Sequence, residues 1–164
     1  MQSGFMPELD YSTASIRTYL DAGYTLEEAV LLWEKAFLDE VNRVRAEHGI
    51  RPLEHDYRLH AAARDHSEDV ATRDIPPSHF GSDGSTEFDR ARRRGWDGGV
   101  RENVFSNASI TASPQYAVQK FYDSPPHRDT MLMHGMNPER MYTGVGVYVK
   151  GNGMVVTHKL GSIR

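Results

Sequence analysis

Apolar side chains at Ala29, Trp33, Ala36, Phe37, Val41 and Val44 fall at the three-to-four spacing that lays one stripe along a helix. Thr25 and Glu28 have the Thr-x-x-Glu form of a capping box, which opens that helix. Gly49, with Pro52 shortly after, closes it. Upstream, Ser12 or Thr13 caps a shorter helix through about Ala22, ended by Gly23. The helical period returns near Asp56 and puts Leu59, Ala63, His66 and Val70 on one face. Ser85 or Thr86 caps a short helix that ends before Gly95. Ser113-Pro114 is an N-cap and first-turn pair for another, with Ala117, Val118 and Phe121 inward and Pro125 as its limit.

Past that point the period changes from helical to alternating. Thr143, Val145, Val147 and Val149 alternate with Gly144, Gly146 and Tyr148, a strand pattern. The "GNG" at 151–153 turns the chain, and Met154 to Leu160 return as a second strand. The segment "GWDGGVRENVFSN" reads as loop, with a short strand through Val104 and Phe105. Helices first and a hairpin last predict an α+β fold with a small antiparallel sheet.

Composition narrows the class. The 164 residues are 38% hydrophobic and 10% aromatic, which suits one folded domain with a real core. With no cysteine, disulfides and thiolate chemistry are excluded, and any metal site must draw on His, Asp or Glu. A formal charge of −4 gives no reason to expect nucleic acid. The run Arg90, Arg92, Arg93, Arg94, mixed with Glu87 and Asp89, reads as a solvated helix face. No apolar run reaches membrane-spanning length, and the first residues lack the charged and apolar regions of a signal peptide.

Chemistry-bearing residues gather in loops: Ser78-His79, Arg101-Glu102-Asn103 and Pro126-His127. Two imidazoles and a carboxylate are the donor set of an open zinc site, and equally of general acid-base chemistry. On spacing alone nothing such as H-E-x-x-H joins them. His66 and His158 lie on inward faces and read as core histidines satisfied by neighbours, while His48, His55, His60 and His134 read as surface residues. Met131, Met133, Met136 and Met141 read as packing, and "GSDGS" as a turn plus helix cap.

The ordered stretches "FLDEVNRVRAEHGIRPLEHDYRLHAAARDHSEDVA", "SHFGSDGSTEFDRARRRGW", "RENV", "SPPHRDTML" and "YTGVGVYV" resemble a bacterial CAP domain, of the superfamily of cysteine-rich secretory proteins, antigen 5 and plant pathogenesis-related proteins. The resemblance implies a CAP-type α-β-α sandwich, a small central antiparallel sheet between helical layers. It divides the chain into an N-terminal helical extension, residues 1–28, and a CAP domain, residues 29–164. It also implies a surface cleft with two histidines and acidic residues, which in relatives holds zinc or another divalent ion. Carried over singly, His79 in "SHF" matches the first histidine, Glu102 in "REN" the glutamate, and His127 in "SPPHR" the second histidine. His79 and His127 are then the metal ligands, and the prolines aim His127 into the cleft. Arg101 departs from the usual glycine, Phe121 from tryptophan and Pro126 from glycine. The second acidic residue has no clear counterpart, and Asp123 is the nearest.

The function expected from this resemblance is a non-enzymatic extracellular binding module. Its cleft takes a divalent metal and an unidentified ligand: a lipid, a peptide or a cell-surface component. The signal segment of such an exported protein is not part of this sequence. One alternative is a zinc-dependent peptidase in which His79 and His127 hold the metal and Glu102 is the base. Another is a structural or adhesion domain with a vestigial cleft, docking through residues 13–48.

Overall fold

The computed structural model describes residues 9–133 and 140–163. His134 and Met136 lie outside the described residues. The chain forms α1 (Ile16–Asp21), α2 (Leu26–Glu47), β1 (Glu54–His55), α3 (Tyr57–Arg73), α4 (Glu87–Arg93), β2 (Gly99–Ser109), α5 (Pro114–Asp123), α6 (Pro125–Met131), β3 (Met141–Lys150) and β4 (Gly153–Ser162). The strands make one sheet in the order β1-β3-β4-β2. The hairpin and β2 are antiparallel, but the two-residue β1 joins β3 in parallel, so the sheet is mixed rather than purely antiparallel.

Local chemistry explains most boundaries. Thr25 and Glu28 make the full reciprocal capping box of α2. Asp56, Thr86 and Ser113 cap α3, α4 and α5 through their side chains. The first helix starts later than expected, with Ser15 as N-cap, because Asp10 captures Ser12 and turns the chain through Thr13 and Ala14 first. Two further expectations are corrected. The segment 99–109 is a full-length strand, its polar Glu102 and Asn103 being buried in hydrogen-bonded networks. His127 sits in a helix, not a loop, because Pro125 and Pro126 occupy first-turn positions where no backbone donor is needed.

Helices cover both faces of the sheet, giving the α-β-α sandwich. On one face α3 seats directly on the backbone of β3. A Cβ at Gly144 or Gly146 would collide with the α3 main chain at His60 and Arg64, so only glycine permits this approach. On the other face Trp33, Phe37 and Val41 of α2, with Val118 and Phe121 of α5, pack on Val145, Val147, Val156 and Leu160. The residues ahead of α2 join this core: Ile16 and Tyr19 are fully buried, and Arg17 N–H donates to the Ile110 carbonyl at 3.0 Å.

Candidate functional site

Glu102 on β2 stands directly opposite Lys159 on β4, and both side chains point to the face covered by α3 and α4. Each is fully buried. The Lys159 ammonium donates to Glu102 Oε1 at 2.7 Å, and Arg90 Nη2 donates to both oxygens at 3.1 and 2.9 Å. His79 Nδ1 completes the set, donating to Oε2 at 3.0 Å. Burial alone would raise the Glu102 pKa. The hydrogen bond from His79 and the charges of Lys159, Arg90 and His66 outweigh it and bring the group down to about 2.

The same residues fix the His79 loop. Arg90 Nη2 also donates to the His79 carbonyl at 3.0 Å, and His66 Nε2 donates to the Ser78 carbonyl at 2.6 Å. Asp69 anchors the following turn through Ser82. His79 is therefore held at its backbone from two helices and at its ring from the sheet, while its side chain stays 56% exposed. Its pKa is raised, first by the bond to Glu102. Glu87, in the first turn of α4, comes within 3.5 Å of His79 Nδ1, and its own pKa is raised by burial and by the charge of Glu102.

His127 approaches from the opposite face. Asn103 alternates with Glu102 along β2, and its amide donates to the His127 carbonyl at 2.9 Å. Ser124 leaves its N-cap role unfilled, because its hydroxyl pairs with His127 Nδ1 at 2.8 Å. The ring lies against Phe121, and its pKa is lowered by burial and by the nearby charge of His79. Asp123 is exposed at the end of α5 and accepts from Gln119, and no hydrogen bond or ion pair joins it to His79, Glu102 or His127 among the described residues.

Some of these residues were not visible as site residues in the sequence. Glu87 and Arg90 read as solvated helix, yet Arg90 is buried and Glu87 half-buried. The available signal was a first-turn glutamate and an arginine one turn later, close behind "SHF". Lys159, a lone cation within an apolar strand, was another. His60, expected at the surface, is buried, with Nδ1 donating to the Val145 carbonyl. His66 and His158 are core histidines, each with a hydrogen-bonded Nε2 but an orphaned buried Nδ1.

His79, Glu87 and Glu102 offer ligand atoms within 4.8 Å of one another and could hold a metal ion. The donors are not equal, because both Glu102 oxygens already accept from Lys159, Arg90 and His79. A metal there would displace those bonds and face two cations.

The family model of the cysteine-rich secretory proteins (CAP) matches residues 38–159. The chain belongs to the CAP family. Solved structures agree on the fold of this CAP domain. An extracellular protein of Bacillus anthracis containing an SCP domain superposes with a TM-score of 0.67 at 23% identity, over 86% of this chain and 45% of that one. An outer surface protein of Borrelia burgdorferi gives 0.66 at 16% identity, over 79% of this chain and 92% of that one. A cysteine-rich secretory protein of Staphylococcus aureus gives 0.56 at 15%, over 79% and 38%. The CAP domain thus spans under half the length of the first and third of these proteins. No curated protein sequence matches the chain. Among the described residues, no helix of this CAP domain is long and apolar enough to cross a membrane.

Proposed function

We propose that this CAP domain is an extracellular, non-enzymatic binding module whose cleft takes a divalent cation, zinc by donor chemistry, and an unidentified ligand. One observation carries the reading. Each cleft imidazole has its Nδ1 fixed by an oxygen group, Glu102 for His79 and Ser124 for His127, and neither Nε2 has a partner among the described residues. A histidine oriented through one nitrogen and open at the other is the arrangement metal sites use. His79 and His127 are the ligands in this reading, each through its open Nε2, whereas Glu87 lies beside Nδ1 of His79 and is not one of them. Glu102 orients His79 rather than binding the ion. The metal would supply a Lewis-acidic anchor for a ligand oxygen. The extracellular and outer-surface descriptions of structural relatives support the assignment to the cell exterior. We take residues 29–164 as the CAP domain and residues 1–28 as its extension.

The charges around Glu102 weigh against the peptidase alternative as first framed, because a carboxyl with pKa about 2 and every oxygen engaged is a poor base. A hydrolase would instead have to use Glu87, whose pKa is raised.

Metal content per chain, measured by mass spectrometry after dialysis against trace zinc, tests the proposal. The expected result is near one zinc in wild type, lost in both His79→Ala and His127→Ala. Glu102→Gln should weaken affinity by about 10- to 100-fold without abolishing it. Absence of zinc from the wild type would remove the metal from this reading. Turnover of a peptide library that disappears with Glu87→Gln would overturn the non-enzymatic assignment.

A further inference from the structure

The sheet margin opposite β2 holds a recess of its own. A cavity of about 450 Å³ lies between α2 and the corner where β1 joins β3. Leu31, Leu38, Leu53 and Val145 give it apolar walls, and His55 and His60 complete them. None of His79, Glu102 and His127 lines it, so it is separate from the cleft described above.

Most polar groups around this recess are already engaged. Asn42 gives both ends of its amide to the Leu53 main chain, at 3.1 and 2.8 Å. The Thr143 hydroxyl donates to the Lys159 carbonyl and pairs with His158. Glu34 accepts from Arg64 and from the Val147 N–H. Lys35 and Asp39 pair with each other at the exposed rim. The imidazoles are the exception. His60 is only 8% exposed, and its Nδ1 carries the proton, because it donates to the Val145 carbonyl at 2.9 Å. Burial and the charge of Arg64 lower its pKa and keep the ring neutral. Nε2 is then a lone-pair acceptor with no hydrogen-bond partner among the described residues. Unlike the orphaned Nδ1 atoms of His66 and His158, it is not sealed from its surroundings.

We propose that this recess binds a small uncharged phenol, whose hydroxyl donates to His60 Nε2 and whose ring lies against the imidazoles of His55 and His60. An apolar cavity of this size with one open polar atom is the form of a small-molecule site. One acceptor asks for one donor, which a hydroxyl supplies. An ammonium brings three donors and would leave two desolvated and unpaired. A carboxylate meets Glu34 and Asp39 and finds no open cation, since Arg64 is paired with Glu34 and Glu27, and Lys35 with Asp39. The aromatic preference comes from the wall. The His55 and His60 rings stand 5.8 Å apart, and Tyr57 meets both edge-on, a surface that another flat ring can extend.

The test is an NMR titration of the full, metal-free chain with para-phenylphenol, its methyl ether para-methoxybiphenyl, and para-phenylbenzoate. The phenol should shift the His60 Nε2 signal and the amides of Leu31, Leu38 and Leu53, and leave the His79 and His127 rings unchanged. The ether lacks the donor and should bind about 3- to 10-fold more weakly, the worth of one hydrogen bond. The carboxylate should bind more weakly still. His60→Phe should erase the difference between phenol and ether, with folding checked by its urea midpoint. Leu31→Trp, at a lining position that is 45% exposed, should block both ligands without loss of stability, and decides the matter should His60→Phe fail to fold. Four results would each overturn the inference: no phenol binding below about 1 mM, equal binding of the ether or carboxylate, a phenol preference that survives His60→Phe, or shifts centred on another site. None of these readings depends on zinc, so the metal proposal stands or falls separately.

Discussion

The two margins of the sheet are treated in opposite ways. At the β3 margin the chain caps several of the main-chain groups it exposes. Asp56 N–H donates to the Thr143 carbonyl at 2.9 Å, and beyond β1 the side chains take over. His60 Nδ1 donates to the Val145 carbonyl, and Val147 N–H donates to Glu34 Oε2, each at 2.9 Å. Glu34 is held in turn by Arg64, bonded at 3.1 and 2.8 Å. At the β2 margin no hydrogen bond besides the β4 ladder engages the main chain between Val100 and Ser106 among the described residues, yet Val100, Glu102 and Asn103 are buried. A fold that can spend a buried glutamate and histidine on one edge has the means to close an edge. The β2 margin instead lies beside His79 and His127, which are tied to Glu102 and Asn103.

The largest expected effect comes from breaking the closed margin. Glu34→Ala leaves the Val147 N–H and the Arg64 guanidinium without their buried partner and should cost about 3–5 kcal/mol, read from urea unfolding. A loss under about 1 kcal/mol would show that water caps this margin as well as the carboxylate does. His60→Leu removes one donor from a buried carbonyl and should cost about 1–3 kcal/mol in the same assay.

Acid should act on the two margins with opposite sign. Burial and Arg64 lower the His60 pKa, so its contribution is complete above the unfolded value of 6.5 and fades as pH falls through the lowered one. His158, brought down to about 3 chiefly by burial, adds to the same acid loss. The His79 pKa is raised, so its bond to Glu102 contributes fully below 6.5 and fades as pH rises through the raised value. Urea midpoints between pH 4 and 8 should therefore fall toward acid in the wild type. The drop should shrink in His60→Leu and steepen in His79→Gln. A wild-type profile that is flat below pH 6.5 would contradict the assignment of neutral buried imidazoles. The smallest effect is kinetic: the Val147 amide, held by Glu34, should exchange far more slowly than the amide of half-buried Val104.

The fold was legible wherever it is written in short-range chemistry. The Thr25-Glu28 box, the Ser113-Pro114 start and the alternation of 143–149 each depend on neighbours a few residues away, and each appears in the structure. What escaped depends on partners far along the chain. Of Val100 to Ser106, only Val104 and Phe105 looked like strand, because Glu102 and Asn103 are polar, and they are polar because Lys159, Arg90 and the His127 carbonyl lie waiting for them. Arg90 looked solvated because a buried arginine and a surface arginine read alike until the carboxylate it serves is placed. The family resemblance picked out His79, Glu102 and His127, but the ion network that sets the Glu102 charge had no sequence signal beyond one lysine in an apolar strand.

The seating of α3 on Gly144 and Gly146 reaches further than the packing it permits. Backbone against backbone leaves no soft side chain to absorb error, so the helix works as a gauge block between the sheet and whatever rides on it. His66 rides on it, and through the Ser78 carbonyl sets where His79 begins. A single methyl at position 146, remote in sequence from either cleft histidine, would be transmitted undamped along that rigid train and read out as a misaligned imidazole.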